Sequence, residues 1–503
     1  MFNKHPKGLV AASLANLGER FGFYTMMAIL VLFLQAKFAL GGKEAGLIYS
    51  TFYFSIYILA LVGGIIADKT RNYKGTILIG IVLMALGYLM LAIPSETPVA
   101  NKTLMLTVTC VGLFVIAFGN GLFKGNLQAL VGQMYDDPKY SSMRDSGFSL
   151  FYMFINIGAI FAPMAAVGVR NWWLAHNGYA YNADLPALCH GHLAGTLQPQ
   201  AAETFQKLAA EVSNGTATDL TAFANSYLNV FSTGFHYAFG VAIVAMLISL
   251  LIYVVNKSKF PDPSQKAAGN KAAATVEMSA QEVKQRIMAL FAVFGVVIFF
   301  WFSFHQNGLT LTFFAKEYTD LNLMGMPITA ELFQSLNPFF VVFLTPLVMA
   351  VFARQRAAGK EPSTPKKIAI GMGIAATGFV IMAIGSYVSD LPLHKDIIAA
   401  GTSPVKVTPL VLIFTYLVLT IAELYISPLG ISFVSKVAPP KYQGIMQGGW
   451  LGATALGNQL LFIGAVLYES IPIWMTWTVF VVACCISMFT MLFMLKWLER
   501  VAK

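Results

Sequence analysis

Charge is scarce in this chain: only 11% of its 503 residues are Asp, Glu, Lys or Arg, and 57% are hydrophobic. An ordinary soluble domain carries roughly 25% charged residues. The shortage excludes water as the solvent for most of the molecule. Cysteine is equally sparse. Of the four, Cys110, Cys484 and Cys485 lie in apolar runs and Cys189 stands alone in a polar loop, so no disulfide framework is expected. The chain has no H-E-x-x-H zinc pattern, no P-loop and no pair of aspartates within an apolar run, which leaves a membrane-embedded enzyme without a catalytic constellation. Met1 to Lys7 lead into an apolar run much longer than a signal h-region, with no small-residue cleavage pattern behind it, so no cleaved signal is expected. The net charge of +10 does not point to nucleic acid, because the basic residues alternate between loops instead of forming one patch.

What the chain has in abundance is apolar runs of at least the roughly 20 residues that cross a bilayer. Twelve are predicted, at 10–36, 46–66, 75–94, 103–135, 142–168, 233–256, 286–314, 329–353, 365–388, 406–436, 442–468 and 472–498. An all-α polytopic membrane protein follows. Six spans (1–256) precede a basic linker, 257–285, and six follow it (286–503), a plan in which two bundles rock about a site near the midplane. The central loop, to the start of the seventh span, carries Lys257, Lys259, Lys266, Lys271, Lys284 and Arg286, and the loop after the eighth span carries Arg354, Arg356, Lys360, Lys366 and Lys367. With the N-terminus inside, 23 Lys and Arg fall on the cytoplasmic side and eight outside, leaving Arg20 and Lys124 within spans. The positive-inside rule therefore places both termini in the cytoplasm of a multi-pass inner (plasma) membrane protein.

Between the second and third spans, Gly63-Gly64-Ile65-Ile66-Ala67-Asp68-Lys69-Thr70-Arg71-Asn72-Tyr73-Lys74-Gly75 resembles the cytoplasmic signature of the major facilitator superfamily, with Asp68 expected to pair with basic groups on a neighbouring helix end. Residues 170–232 form a polar external insertion with room for two or three short helices. It contains His190-Gly191-His192, too few ligands for a tetrahedral metal site, and Asn214-Gly215-Thr216, a glycosylation acceptor only in a secretory pathway.

A charge at the centre of a span costs roughly 2.5 to 3.5 kcal/mol on insertion scales, so each needs a reason. Four stand out: Glu19, Arg20, Lys124 and Glu423, with His305 a fifth. Asn16, Glu19 or Arg20, and Tyr24 share a helical face at three- and four-residue spacing. Lys124 sits among small residues, Gly121 and Gly125 permitting close helix approach, and needs a buried partner or a cavity. A buried pair of Glu19 with Arg20 or Lys124 that only ties two helices is the competing account. Asn156 and Asn337 are amides within apolar helices, which serve as interhelical glue as often as ligands. In the tenth span Pro428 loosens the backbone just after Glu423, as suits a mobile gate. His305 has a reference pKa near 6.5 and is a candidate titrating group, or else a satisfied packing histidine beside Gln306 and Asn307.

Together these residues resemble the proton-dependent oligopeptide transporter family of the major facilitator superfamily over nearly the whole chain. The resemblance rests on Glu19-Arg20-Phe21 with Tyr24, Phe123-Lys124 with Asn126, Phe151-Tyr152 with Ile155-Asn156 and Gly158, and Phe300-Trp301. It continues through Phe333-Gln334-Ser335 with Asn337-Pro338-Phe339-Phe340, Glu423-Leu424 with Ser427-Pro428 and Gly430, Gly449-Trp450 and Gly457-Asn458. It implies a major facilitator fold of two six-helix bundles, symport of di- and tripeptides, and peptide-like drugs as further cargo. A peptide is a zwitterion, so its pocket needs opposite charges on opposite walls. Arg20 and Lys124 would hold the carboxylate beside Tyr24 and Tyr57, and Glu423 the ammonium. Asn156, Asn337 and Ser427 complete the polar set, and Tyr53, Trp301 and Trp450 would wall the variable side chains. The proton gradient would be the driving force, with no cofactor, and the protein is expected to be a monomer.

The family pattern in the first span is E-x-x-E-R, and here Asn16 replaces the first acid. The cluster then sets Glu19 against Arg20 and Lys124, a formal surplus of +1, which favours an anionic ligand or a depressed lysine pKa. Weaker or rewired proton coupling is expected, carried by Glu19 and Glu423 with Arg20, Lys124 and His305 around them. The short linker leaves no room for the extra pair of spans of many bacterial relatives. Alternatives are a carrier of another small anion or zwitterion, such as nitrate, a modified amino acid or a peptide-like drug, or a facilitator; a channel is disfavoured by the two-half plan.

Overall fold

The structure is a computed structural model that describes residues 5–140, 144–261, 278–439 and 442–502. The first four residues, and linker residues 262–277 with Lys266 and Lys271, lie outside the described residues. Seventeen α-helices are described. They are α1 (Lys7–Phe38), α2 (Gly42–Thr70), α3 (Tyr73–Ala92), α4 (Lys102–Met134), α5 (Arg144–His176), α6 (Leu185–Ala194), α7 (Pro199–Val212), α8 (Leu220–Asn256), α9 (Ala280–Phe304), α10 (Thr310–Glu317), α11 (Leu336–Ala357), α12 (Thr364–Val388), α13 (His394–Ala400), α14 (Leu410–Val437), α15 (Gln443–Gln459), α16 (Leu461–Ser470) and α17 (Ile473–Val501).

Among the described residues, twelve helical segments are long and apolar enough to cross a membrane. Their outward faces carry Ile79, Leu86, Phe114, Phe343, Leu347, Phe489 and Phe493 exposed, an apolar belt of the kind a membrane-spanning bundle presents. α1 packs on α5 and α8, and α4 on α2 and α3, in one bundle; α12 packs on α14 and α17, and α9 on α15 and α17, in the other. This is the two-bundle architecture of the major facilitator fold. Helix starts follow local capping chemistry. Asn72 Oδ1 accepts from Gly75 N at 2.9 Å to open α3, and Asp219 Oδ1 accepts from Thr221 N at 2.9 Å and Ala222 N at 3.1 Å to open α8.

Several segments differ from expectation. The sixth span begins at Leu220 rather than 233, and α5 runs on to His176, so the insertion shrinks to a two-helix cap, α6 and α7. Phe223, Ala224, Tyr227 and Leu228 are buried while Thr221, Ala222, Asn225 and Ser226 are exposed. That is a helical period whose polar face masks it in a hydropathy reading. Cys189 lies buried in α6 instead of in an exposed loop. His190 Nε2 bonds Ala36 O at 2.7 Å and His192 Nε2 bonds Thr221 Oγ1 at 3.1 Å, so the two imidazoles serve docking of the cap. Asp68 accepts from the Tyr73 hydroxyl; among the described residues no base pairs with it. Gly121 does allow close approach, since a Cβ there would collide with Leu59 O of α2, but Gly125 faces open space.

Two spans are broken. The seventh passes through a 3-10 turn, His305–Gly308, between α9 and α10, and the eleventh breaks at Leu460 between α15 and α16. Backbone freed at such breaks is tolerated in a membrane only where it lines a cavity or is buried in protein. α14, by contrast, runs on through Pro428.

The bundles are joined at the end that carries the cap. Arg170 of α5 pairs with Glu331, just before α11, and Ser335 Oγ donates to Ile160 O at 2.9 Å. Glu469 of α16 caps the start of α2, accepting from Gly42 N at 2.5 Å and Lys43 N at 3.3 Å. The cap adds Thr402 Oγ1 donating to Asp184 Oδ2 at 2.8 Å, and Thr204 Oγ1 donating to Ala400 O at 2.7 Å.

Candidate functional site

Below this closure lies a cavity of about 350 Å³ between the bundles, within the usual range for small-molecule sites. α1 brings Arg20 and Tyr24 to it, α2 brings Tyr53 and Tyr57, α4 Lys124 and α5 Asn156. From the second bundle come Trp301 of α9, His305 of the 3-10 turn, Asn337 of α11, Glu423 and Ser427 of α14 and Trp450 of α15. Every residue predicted to touch a ligand thus lines one space. Glu19 alone of the predicted proton-coupling residues does not; it stands behind Arg20.

The walls depend on glycines in facing helices. A Cβ at Gly430 would collide with the Trp450 ring, and one at Gly457 would lie 2.7 Å from Trp301 Cβ. Trp301 in turn stacks on His305 with ring centroids 4.7 Å apart, and Tyr53 packs on the same imidazole, tilted, at 4.8 Å.

The charges are segregated. Arg20 is held by Glu19 through two bonds, Nε to Oε2 at 2.5 Å and Nη2 to Oε1 at 2.6 Å. Asn120 Nδ2 of α4 donates to Glu19 Oε1 at 2.6 Å. Both charged side chains are nearly out of solvent, a setting in which a pair is held only by good geometry and further hydrogen bonds. Both residues belong to α1, so the pair itself ties no two helices; the Asn120 bond links α1 to α4, and Arg20 keeps only part of its guanidinium free. Lys124 has no carboxylate within ion-pair distance among the described residues; its Nζ lies 5.1 Å from the Tyr57 ring centroid. Glu423 likewise has no basic partner. Its Oε2 accepts from Asn337 Nδ2 at 2.8 Å, and the same amide nitrogen lies 3.1 Å from Thr420 Oγ1.

Two predicted residues have mixed surroundings. Asn156 Nδ2 donates to Tyr152 O at 3.1 Å within its own helix. His305 Nδ1 donates to the Asn458 side-chain oxygen, which answers to a packed histidine even though its ring edges the cavity. Asn16 is buried with its amide nitrogen unpartnered.

Sequence reasoning missed Tyr49, Gln128, Tyr152, Asn307, Gln334 and Tyr416, which also line the space. Tyr49 was within reach: it precedes Tyr53 and Tyr57 by four and eight residues and so shares their helical stripe. The cavity continues from Lys124 and Glu423 past Gln128 and Ile431, positions further along α4 and α14 toward the end where the chain termini lie.

The sequence profile of the POT family matches residues 74–278 and 263–476. The chain is 29% identical over 476 residues to "Peptide transporter YePEPT" of Yersinia enterocolitica, covering 91% of this chain and 87% of that protein. It is 29% identical over 462 residues to "Dipeptide and tripeptide permease A" of Chromobacterium violaceum, covering 90% and 84%. Among solved structures, a peptide transporter POT in complex with sulfate superposes with a TM-score of 0.74 at 21% identity, over 100% of this chain and 96% of that one. A POT family transporter in complex with 5-aminolevulinic acid gives 0.72 at 20% identity, over 100% and 98%.

Proposed function

Because the chain belongs to the POT family, we propose that it is a secondary transporter, not an enzyme, that takes up di- and tripeptides by alternating access. The observation that carries the reading is that Lys124 and Glu423, from opposite bundles, line one cavity and each lacks an oppositely charged partner among the described residues. Charges partly withdrawn from bulk water and left without an opposite partner are costly. A zwitterion with its ends a short distance apart relieves both at once.

The peptide carboxylate docks on Lys124 and on the guanidinium N–H groups of Arg20 that Glu19 leaves free. The ammonium docks on Glu423, steadied by Asn337, with Asn156 and Ser427 beside the backbone. Tyr53, Trp301 and Trp450 accept varied side chains, because aromatic walls discriminate weakly. The relatives named as peptide transporter and as dipeptide and tripeptide permease support this cargo.

Coupling to protons is weakened or rewired. Glu19 is committed to Arg20 and Asn120, and Asn16 offers no second acid, so Glu423 is the acid left facing the cavity. The distribution of Lys and Arg puts both termini in the cytoplasm and the cap outside a plasma membrane. In that orientation the closure by Arg170, Glu331 and Glu469 faces outward and the cavity extends inward.

The test is counterflow in proteoliposomes, with cargo chosen by a thermal-shift screen of dipeptides. Exchange of free dipeptides that N-acetylation and C-amidation both weaken is the expected result. Exchange of nitrate or single amino acids without any peptide would overturn the assignment. Full uphill accumulation on a proton gradient, retained in Glu19→Gln, would remove the rewired coupling.

A further inference from the structure

His305 stands in the 3-10 turn where the seventh span breaks, and its ring is built into the cavity wall against Trp301 and Tyr53, with centroids 4.7 and 4.8 Å away. Phe304 packs on it at 5.4 Å. The residue is only 6% exposed. Its two nitrogens differ. Nδ1 is turned to α15 and donates to Asn458 Oδ1. Nε2 makes no hydrogen bond, yet it is not among the atoms sealed from solvent, and the residue lines the central cavity.

Two facts set the chemistry of that open nitrogen. Among the described residues no carboxylate lies within ion-pair distance of the ring, and an imidazolium packed among aromatic rings would be an uncompensated charge, so the ring is neutral. A neutral imidazole that gives its Nδ1 proton to an amide oxygen carries a lone pair on Nε2. The wall therefore has an acceptor where the indoles of Trp301 and Trp450 can offer only N–H donors. Water can serve that acceptor in an open cavity. When cargo displaces the water, a side chain without a donor leaves Nε2 unpaired, and an unmet polar group costs more than a met one gains. A site that hydrogen-bonds its cargo rejects the analogue lacking the group for this reason.

We propose that His305 is a specificity-determining residue: its Nε2 accepts a hydrogen bond from a hydroxyl-bearing side chain of the peptide, so that an otherwise permissive aromatic wall discriminates between a donor and an apolar group of equal size. The inference rests on the reading of the central cavity as a peptide site.

The experiment is competition in counterflow with the full chain in proteoliposomes, using Ala-Xaa and Xaa-Ala peptides in two isosteric pairs: serine against 2-aminobutyrate, and O-methylserine against norvaline. An ether accepts a hydrogen bond but cannot donate one. A wall that only penalised polarity would disfavour the hydroxyl more than the ether, because the hydroxyl is harder to desolvate. The expected result is the reverse: at one of the two positions the serine to 2-aminobutyrate affinity ratio exceeds the O-methylserine to norvaline ratio by about fivefold, the contribution of one neutral hydrogen bond. His305→Phe should erase this excess, and His305→Gln, which keeps a side-chain acceptor, should recover part of it. In the unmodified protein, an ether ratio equal to or above the hydroxyl ratio at both positions would overturn the proposal, whether or not the substituted chains fold. So would an excess that persists in His305→Phe. Peptides that exchange without this order sink only the role of His305, whereas exchange of no peptide at all sinks the peptide reading with it.

Discussion

Arg170 of α5 and Glu331 before α11 form an ion pair across the two bundles in which neither side chain is exposed. Arg170 also lies over the Tyr181 ring, 4.1 Å from its centroid, so one guanidinium joins the first bundle, the insertion and the second bundle. Removing one partner of a buried pair typically costs about 3 to 5 kcal/mol, because the other is left charged and unpaired. Glu331→Gln and Arg170→Gln should therefore each destabilise the capped-side closure by about that amount. A double substitution that restores part of the loss in thermal melts would identify the pair itself as the cause; additive losses would not.

Lys124 and Glu423 should separate the two ends of the cargo. A charge-assisted hydrogen bond is worth about 1.5 to 3 kcal/mol, or about ten- to a hundredfold in affinity. Lys124→Gln should weaken peptides with a free carboxylate by that factor and leave C-amidated peptides little changed. Glu423→Gln should do the same at the amino end, erasing the preference for free over N-acetylated peptides. The check is competition in the counterflow assay.

Asn16 offers a gain-of-function test. Asn16→Glu places a second acid one turn before Glu19 and cancels the surplus charge of the Glu19, Arg20 and Lys124 cluster. Proton-driven accumulation in proteoliposomes should rise above that of the unmodified protein. An unchanged response would remove Asn16 as the cause of weak coupling.

His394, in the loop helix α13 outside the spans, should give the closure a pH dependence. Burial opposes its protonation, but the hydrogen bond and charge of Glu317, with the charge of Glu469, outweigh burial and Lys316 and raise its pKa above 6.5. A raised pKa stabilises the folded arrangement fully below the unfolded value, near pH 6.5, and the contribution fades as pH rises through the folded value. The melting temperature of His394→Asn should therefore fall below that of the unmodified protein at pH 5.5 to 6, and the gap should narrow in alkali. A gap that widens with pH would contradict the sign.

Much of the architecture was legible in the sequence because the relevant signal is local. A run of apolar residues declares its own solvent, so twelve spans and their division into halves could be read without coordinates. Charges inside such runs declare a reason to be there, which singled out Arg20, Lys124 and Glu423. Arg170 and Glu331 escaped the same reasoning because they stand at the ends of apolar runs, where a charge reaches the membrane edge and needs no special reason. The early start of α8 escaped because Asn225, Ser226 and Asn229 dilute the window average while the buried face stays apolar.

Composition and order alone determined that this chain lies in a membrane, that it has two six-span halves, and which side chains would seek a cavity. Tertiary structure decided who partners whom: Glu19 with Arg20 and Asn120, Lys124 and Glu423 with no opposite charge, Glu469 at the start of α2, and the insertion as a cap over both bundles. The physical reason is range. Solvent preference belongs to each segment, whereas the Arg170–Glu331 pair and the cap exist only when segments far apart in the chain are packed within hydrogen-bonding distance.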